Sequence, residues 1–171
     1  MATNPLHLLR VNARELLRTP GSIREIDAEV DAEALGIDDA RVAGPVVVDL
    51  DAVSSIDGVV VTGQITVAWA AACRRCLAEV SGRVVVVVEE LYQDEALDEE
   101  AFVIEGDQMD LAPAVREHVL IELPDGPLCR ADCAGICPVC GIDRNERSCD
   151  CDTSVRDDRW AALDDLRLED D

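Results

Sequence analysis

Eight cysteines are the residues of this 171-residue chain whose type and spacing point most directly to chemistry. Six lie between Cys129 and Cys151, where the sequence reads C-RAD-C-AGI-C-PV-C-G, then seven residues, then C-D-C. The segment from Cys137 to Gly141 is a CPxCG knuckle, in which the two-residue spacing lets both thiolates bind one ion while glycine frees the turn from side-chain clash. This pattern predicts a structural zinc site.

The eight thiols match two four-cysteine sites, and the sequence suggests how to divide them. The predicted ligand sets are Cys137, Cys140, Cys149 and Cys151 for one site, and Cys73, Cys76, Cys129 and Cys133 for a possible second. The second set would join an early CRRC motif to residues more than fifty positions later. The alternative is a single zinc ion bound within the C-terminal six cysteines, with CRRC left free. Because an all-sulfur shell leaves no position for water, we expect no catalysis at either ion.

Two other uses of the cysteines compete with zinc. Disulfides need an oxidising compartment, whereas Met1 leads into no apolar signal segment, so we expect a cytoplasmic protein with reduced thiols. A redox CxxC pair normally opens a helix after a strand, whereas this knuckle runs into a polar loop. Zinc therefore explains the pattern better than either alternative.

The charge of the chain limits its partners. Fifteen arginines, no lysine and 37 acidic residues give a formal net charge of −22. Such a field repels phosphate backbones and suits a basic protein partner, although excess acid also serves solubility. Arg74 and Arg75, between the CRRC cysteines, are the candidates for a local partner or RNA contact, with solvation as the simpler explanation. Since no apolar run could span a bilayer, we expect no association with a membrane. Since neither a phosphate loop nor a Ser/His/Asp arrangement is present, we expect that the protein is not an enzyme and has no small-molecule substrate.

Alternating apolar residues predict a β-rich domain that must position these cysteines. Strands are predicted over 6–11, 22–30, 46–53, 59–71 and 83–92, with a turn at Asp57-Gly58 and a further short strand over 101–105. The five consecutive valines 84–88 are apolar on both faces, which predicts a central strand. CRRC then lies near the corner between two strands, a rigid place for two thiolates.

The predicted helices are few and short. Asn12 is predicted to cap a helix over 13–18 and Asp110 a helix from 111 to about 121, while a terminal helix is predicted from 158 to about 168. The second helix buries a stripe of Leu111, Val115 and Val119, and His118 beside it is predicted to be packed or hydrogen-bonded and not a ligand. Residues 31–44 and 93–100 are acidic and predicted to be loops.

These elements predict an α+β fold. It consists of a mainly antiparallel sheet or partial barrel, a few short helices and a C-terminal cysteine-rich zinc lobe. The predicted units are a β-rich domain with short helices, residues 1–128, and a zinc-binding lobe with the terminal helix, residues 129–171. We expect them to pack as one unit.

An ordered set of short motifs spans nearly the whole chain. In order they are LRTPGS at 17–22, CRRCL at 73–77, Gly106-Asp107 with Asp110-Leu111, ELP at 122–124, PLC at 127–129, CAGICPVCG at 133–141 and DDRWAAL at 157–163. The set resembles the YceD family, the large ribosomal RNA subunit accumulation proteins of bacteria and plastids. Asp158 stands where the family motif reads more like Asp-Pro-Arg, so the start of the last helix is expected to differ.

The resemblance implies a non-enzymatic role in the synthesis, processing or stability of large-subunit ribosomal RNA. Combined with the charge of −22, it suggests that the chain binds a basic ribosomal protein or ribosome-assembly factor and affects the RNA through it. A redox-sensing zinc protein, which releases metal when its cysteines are oxidised, is the alternative function.

Overall fold

A five-stranded sheet dominates the fold in the computed structural model, which describes residues 5–94, 101–153 and 159. Its strands, neighbours in chain order, are β2 (Ile23–Val30), β3 (Val42–Ser54), β4 (Val59–Ala72), β5 (Glu79–Gln93) and β6 (Phe102–Val103). The first four are antiparallel, and β6 pairs in parallel with the last two residues of β5. Because this sheet has two open edges in the described part of the chain, the partial barrel is not confirmed.

The remaining elements surround the sheet and make the fold a mixed α+β one, as predicted. They are a 3-10 helix (Pro5–Leu9), β1 (Arg10–Asn12), α1 (Ala13–Leu17), β7 (Gln108–Asp110) and α2 (Ala112–Glu122), with β1 and β7 forming a two-stranded ribbon. Asn12 caps α1 as predicted, since its side chain accepts a hydrogen bond from the Glu15 N–H at 3.1 Å.

The strand predicted over 6–11 is wrong for most of its length. The chain forms a 3-10 helix up to Leu9 and is extended only from Arg10. Leu6 and Leu9 are three residues apart, which is one turn of a 3-10 helix, so both side chains face the core. Their spacing fits this helix better than it fits a strand.

The core lies on one face of the sheet. Ile26, Ala28 and Val30 of β2 are buried as their alternation predicted, and the alternating residues of β3 and β4 continue the same face. Helix α2 covers part of it, contacting β4 and β5. Its predicted stripe of Leu111, Val115 and Val119 is at most 1% exposed.

The prediction that the valine run forms a central strand holds only in part, because β5 lies between β4 and β6 but its valines are not buried on both faces. Val86 and Val88 face the core, but Val85 and Val87 are 57% and 79% exposed on the other face. Strand β6 pairs only with Tyr92 and Gln93, so the valines of β5 pair with β4 on one edge and have no described strand on the other. Valine is enriched in strands because its branched side chain suits a pleated surface, and burial on both faces does not follow from that preference.

Helix α2 begins one residue later than predicted. The Asp110 carboxylate accepts a hydrogen bond from the Ala112 N–H at 3.0 Å, while Leu111 is the residue at the helix boundary. His118 is hydrogen-bonded, as predicted, with its Nε2 2.7 Å from Glu90 Oε1. The predicted terminal helix lies outside the described residues, as does most of the predicted 93–100 loop. Among the described helices, none combines the length and apolarity needed to cross a bilayer.

Candidate metal centres

The structure gathers the eight cysteines into two groups of four, and in each group the Sγ atoms lie within 4.8 Å of one another. Four sulfur ligands around one zinc ion, each bonded at about 2.3 Å, would lie roughly 3.8 Å apart. Both groups therefore have the donor chemistry and the approximate size of a zinc site. We call them the inter-segment site (Cys73, Cys76, Cys129 and Cys133) and the C-terminal site (Cys137, Cys140, Cys149 and Cys151).

The inter-segment site joins two distant parts of the chain. Cys73 and Cys133 have Sγ atoms 3.9 Å apart, and Cys76 and Cys129 have Sγ atoms 3.5 Å apart. A disulfide would hold its sulfur atoms at about 2.05 Å. All eight cysteines are free thiols at spacings that suit shared ligation of an ion. The site takes two ligands from each side of the predicted boundary at residue 128.

The CPxCG segment forms the turn that its sequence predicted. The Gly141 N–H donates to the Cys137 carbonyl and the Cys137 N–H donates to the Ile142 carbonyl, both at 2.9 Å. Gly141 has φ +74°, a left-handed conformation that glycine adopts without a steric penalty. This turn points the Cys137 and Cys140 thiols at the same ion position.

The CRRCL segment forms a second turn of the same kind. The Leu77 N–H donates to the Cys73 carbonyl at 2.9 Å, and the Cys73 N–H donates to the Ala78 carbonyl at 2.7 Å. Leu77 occupies the place of the knuckle glycine with φ +63°, and it is the non-glycine residue with positive φ in the described part of the chain. The sequence predicted Cys73 and Cys76 as possible ligands at a corner between two strands, but not this knuckle turn, because the glycine typical of the turn is absent. The turn connects β4 to β5, so the sheet fixes Cys73 and Cys76.

Backbone hydrogen bonds dock the later segment against this turn. The Arg74 N–H donates to the Pro127 carbonyl and the Ile136 N–H donates to the Arg75 carbonyl, both at 3.0 Å. The two bonds flank Cys129 and Cys133 in the chain. The inter-segment site is thus held in shape by main-chain contacts as well as by any ion that it binds.

The two arginines of CRRC take part in the same docking. The Arg75 guanidinium donates through Nη1 to the Cys133 carbonyl at 2.9 Å, and the Arg74 side chain lies against Gly126. Both residues are nevertheless exposed overall. Arg75 therefore has a structural contact that sequence reasoning did not foresee, and the partner or RNA contact of this pair stays a prediction.

Asn145 links the two sites, and sequence reasoning missed it. Its Nδ2 lies 3.4 Å from the Cys133 Sγ, and its Oδ1 accepts hydrogen bonds from the Ala134 N–H and the Arg130 guanidinium, both at 2.8 Å. Asn145 belongs to the loop between Cys140 and Cys149, yet it contacts a ligand of the other site. The Asp143-Arg144-Asn145 sequence could have signalled a turn, because Asp143 Oδ1 accepts from the Asn145 N–H.

The thiols of the inter-segment site differ in acidity. Hydrogen bonds from the backbone N–H groups of Cys76 and Cys129 lower the pKa of Cys73 to about 6. The neighbouring thiols Cys133 and Cys76 raise the pKa of Cys129 to about 12. Without an ion, a cluster of four thiols cannot ionise fully because adjacent thiolates repel. Zinc binding would therefore displace protons from the more basic thiols.

The thiols of the C-terminal site differ in acidity in the same way. The backbone N–H groups of Cys140 and Val139 lower the pKa of Cys137 to about 6. The Cys140 side chain, followed by burial, raises the pKa of Cys151 to about 12. In both sites the first cysteine of the knuckle is the more acidic ligand, because the turn directs N–H groups at its sulfur.

An ion pair near the inter-segment site secures the chain before it. Arg41 forks onto the Asp39 carboxylate, with Nη2 2.7 Å from Oδ2, and also donates through Nη1 to the Pro124 carbonyl at 3.0 Å. The hydrogen bonds from Arg41 lower the pKa of Asp39 to about 2. The 31–41 loop is thereby tied to the start of the segment that carries Cys129.

Comparison with known proteins identifies a matching family and several relatives of the chain. The family model for the large ribosomal RNA subunit accumulation protein YceD matches residues 61–167, a range that contains all eight cysteines. An uncharacterized protein of Mycobacterium tuberculosis (strain H37Rv) is 34% identical over 165 residues, covering 91% of this chain and 79% of that protein. No solved structure matches the chain.

Two further relatives extend the comparison. An uncharacterized protein of Mycobacterium leprae is 33% identical over 135 residues, covering 72% of this chain and 62% of that protein. The Arabidopsis thaliana large ribosomal RNA subunit accumulation protein YCED homolog 1, chloroplastic, is 32% identical over 60 residues, covering 35% of this chain and 19% of that protein. Because the YceD family model matches residues 61–167, more than half of the chain, the chain belongs to the YceD family.

Proposed function

We propose that the protein is a zinc-binding, non-enzymatic factor that supports the synthesis, processing or stability of large-subunit ribosomal RNA. The observation that carries the proposal is the presence of two four-cysteine groups of zinc-site size in a member of the YceD family. The family description supplies the link to large-subunit RNA, and the cysteine geometry supplies the link to a metal.

Two zinc ions with a structural role fit the donor set best. Four thiolate ligands select soft or borderline ions such as Zn²⁺ over Mg²⁺ or Ca²⁺, and four protein ligands close the tetrahedron. Cys73, Cys133 and Cys137 are at most 2% exposed, so a bound ion would be shielded from substrates on one side at each site. An ion in a closed, partly buried ligand shell can hold chain segments together, but it has no open position at which to activate water.

A basic protein is the partner class that the charge favours. A net charge of −22 opposes association with naked RNA, and four thiolates around each zinc ion would add about two further negative charges per site. Ribosomal proteins and ribosome-assembly factors with basic surfaces would be attracted by the same field. The protein would then influence the RNA through such a partner in the cytoplasm.

The role is tested by depleting the protein from its own cells and measuring the ratio of large-subunit to small-subunit ribosomal RNA. We expect the ratio to fall and to be restored by the wild-type chain but not by a Cys129→Ser variant. Ser148→Ala, next to the ligand Cys149 but outside both sites, serves as the control and should restore the ratio. An unchanged ratio on depletion would contradict the proposal.

The partner class is tested by affinity capture before and after RNase treatment. We expect basic proteins to be retained after the RNA has been removed. Capture of purified RNA that survives moderate salt and is lost in an Arg74→Ala/Arg75→Ala variant would instead establish direct RNA binding. The zinc content of the Arg74→Ala/Arg75→Ala variant is the control. Binding of zinc at the wild-type stoichiometry would show that the variant still has an intact inter-segment site.

A redox sensor is the second candidate, and the exposure of Cys129 and Cys140 is the observation that favours it. Oxidation of an exposed ligand would eject the metal and alter partner binding. Peroxide titration scored against zinc release separates the two functions. A structural factor should keep its zinc at peroxide concentrations that trigger a sensor.

A further inference from the structure

Strand β5 carries an open edge beside its valines. Its other edge pairs with β4 along the whole strand, while β6 covers only Tyr92 and Gln93. Among the described residues, no backbone hydrogen bond reaches the second edge between Glu79 and Leu91. An uncovered strand edge of this length, with apolar side chains, is a template for pairing with another strand.

The hydrogen-bond pattern shows which residues face that edge. The bond from the Cys73 N–H to the Ala78 carbonyl makes these two residues a hydrogen-bonded pair, and such pairs alternate along antiparallel strands. The even-numbered residues of β5 therefore bond to β4, and the odd-numbered ones point their N–H and C=O groups outward. The Gln93 carbonyl, which accepts from the Ile104 N–H on that side, agrees with this assignment.

The sequence along the edge is complementary to itself. Residues 83–89 read R-V-V-V-V-V-E, so an antiparallel copy centred on Val86 places Arg83 opposite Glu89 and Val85 opposite Val87. These four residues share the face of the sheet away from the core, and all four are exposed. In the described part of the chain neither Arg83 nor Glu89 forms an ion pair.

We propose that the protein forms a two-fold symmetric homodimer in which the outer edges of two β5 strands pair antiparallel about Val86. The pairing extends at most over residues 81–91 of each copy, because β6 occupies the edge beside Tyr92 and Gln93, and within this span it joins the two sheets into one. Each Arg83 meets the partner's Glu89, each Val85 meets the partner's Val87, and the outward N–H and C=O groups of all four find partners. Such isologous contacts are the usual basis of soluble dimers.

Several features of β5 favour this occupant over an unrelated strand. Val85 and Val87, at 57% and 79% exposure, lose water when each covers the other across the interface. A register shifted by two residues in either direction separates Arg83 from Glu89, so the charges select the centred register. The centred dimer also makes β5 an interior strand, the position that its apolar sequence indicates.

The oligomeric state of the zinc-loaded full chain tests the proposal, by sedimentation equilibrium at several concentrations. The buffer should contain 0.15 M salt, where the Debye length is about 8 Å and the net charges of the two copies are screened. We expect a concentration-dependent dimer. Arg83→Glu and Glu89→Arg should each weaken it by on the order of tenfold, because like charges then face each other twice. The double variant Arg83→Glu/Glu89→Arg should regain wild-type affinity.

Val85→Pro tests the backbone pairing directly. Its N–H points to the open edge and has no partner in a single copy, so a proline there is compatible with the fold but removes two symmetry-related hydrogen bonds of the dimer. We expect a folded monomer. Val47→Thr, which reduces exposed apolar surface on the same face but in the interior strand β3, should leave the dimer intact. A wild-type monomer at all concentrations, a dimer that survives Val85→Pro, or charge reversals without mutual rescue would each overturn the proposal.

Discussion

Replacing Cys129 by serine tests whether the inter-segment site holds two distant segments together. Cys129 is exposed, so the substitution leaves no cavity in the core and acts mainly by removing one ligand. A site with three thiolates binds zinc far more weakly, and the link between residues 73–76 and 129–133 should open. We therefore expect loss of one zinc ion per chain and a marked fall in the free energy of unfolding.

The size of the fall follows from the length of chain that the site closes. Cys76 and Cys129 are 53 positions apart, and a cross-link over a loop of that size is worth roughly 4 kcal/mol in the chain-entropy treatment. At the C-terminal site the longest interval between successive ligands runs from Cys140 to Cys149, nine positions, which corresponds to roughly 2.5 kcal/mol. Cys129→Ser should thus destabilise the protein by about 1.5 kcal/mol more than Cys149→Ser does.

The comparison of these two variants is the measurement. Each removes one ligand from one four-sulfur site, so the intrinsic energy of zinc–sulfur bonding cancels in the difference and the loop length remains. Urea unfolding followed by circular dichroism, in reducing buffer with fixed zinc, gives the free energies, and native mass spectrometry gives the zinc content. Equal destabilisation by both variants would refute the loop-closure reasoning. Two zinc ions retained by Cys129→Ser would refute the site.

Three further predictions concern residues around the sites. Asn145→Ala should weaken zinc binding at the inter-segment site by about 10-fold to 100-fold, because the amide that contacts the Cys133 sulfur is lost. Competition with a chromophoric chelator measures the zinc affinity. An unchanged affinity would show that the contact between Asn145 and the Cys133 sulfur does not support zinc binding. Leu77→Gly should stabilise the fold by about 0.5–1 kcal/mol, because the steric cost of a left-handed leucine exceeds the entropy cost of glycine. Leu77→Ala keeps the strained φ and should therefore not stabilise the fold in the same thermal scan. Asp39 has a folded-state pKa lowered to about 2 by Arg41, against 3.8 for the ordinary group, so its stabilisation is complete above about pH 4 and is lost as the pH falls through 2. The stability gap between metal-free wild type and metal-free Asp39→Asn should therefore be on the order of 1 kcal/mol at pH 5 and close towards pH 2, whereas a constant gap would point to a cause other than ionisation.

The sequence predicted those parts of the site that depend on local spacing. The two-residue interval in CPVC places two thiols on one turn, and eight cysteines divide naturally into two groups of four. The contact between Cys133 and Asn145 could not be predicted in this way, because it depends on how one loop folds over another. Cys73 and Cys76 were predicted as possible ligands, but their knuckle turn was not, because a strained leucine occupies the position where glycine usually stands.

The strands were predicted where alternation has a single explanation. In β2 the apolar residues Ile26, Ala28 and Val30 alternate with polar ones, and one face is buried accordingly. The valine run of β5 has no alternation, so the sequence alone could not tell an edge strand from an interior one. The leucines before Arg10 are three residues apart, which suits a 3-10 helix. The strand prediction assumed instead that every second residue faces the core.

The separation of the ligands in the chain has a consequence for the order in which the protein acquires metal when the complete chain folds. The C-terminal site closes within 15 residues, Cys137 to Cys151, whereas the inter-segment site needs the completed β4–β5 hairpin and a segment more than fifty positions away in the chain. Short loops close faster and at lower entropic cost than long ones. We therefore expect the C-terminal site to load as an independent early step and the inter-segment site to load last, as the event that completes the native topology. When zinc is scarce, the population that accumulates should carry a formed C-terminal site on a chain whose sheet and lobe have not yet been joined.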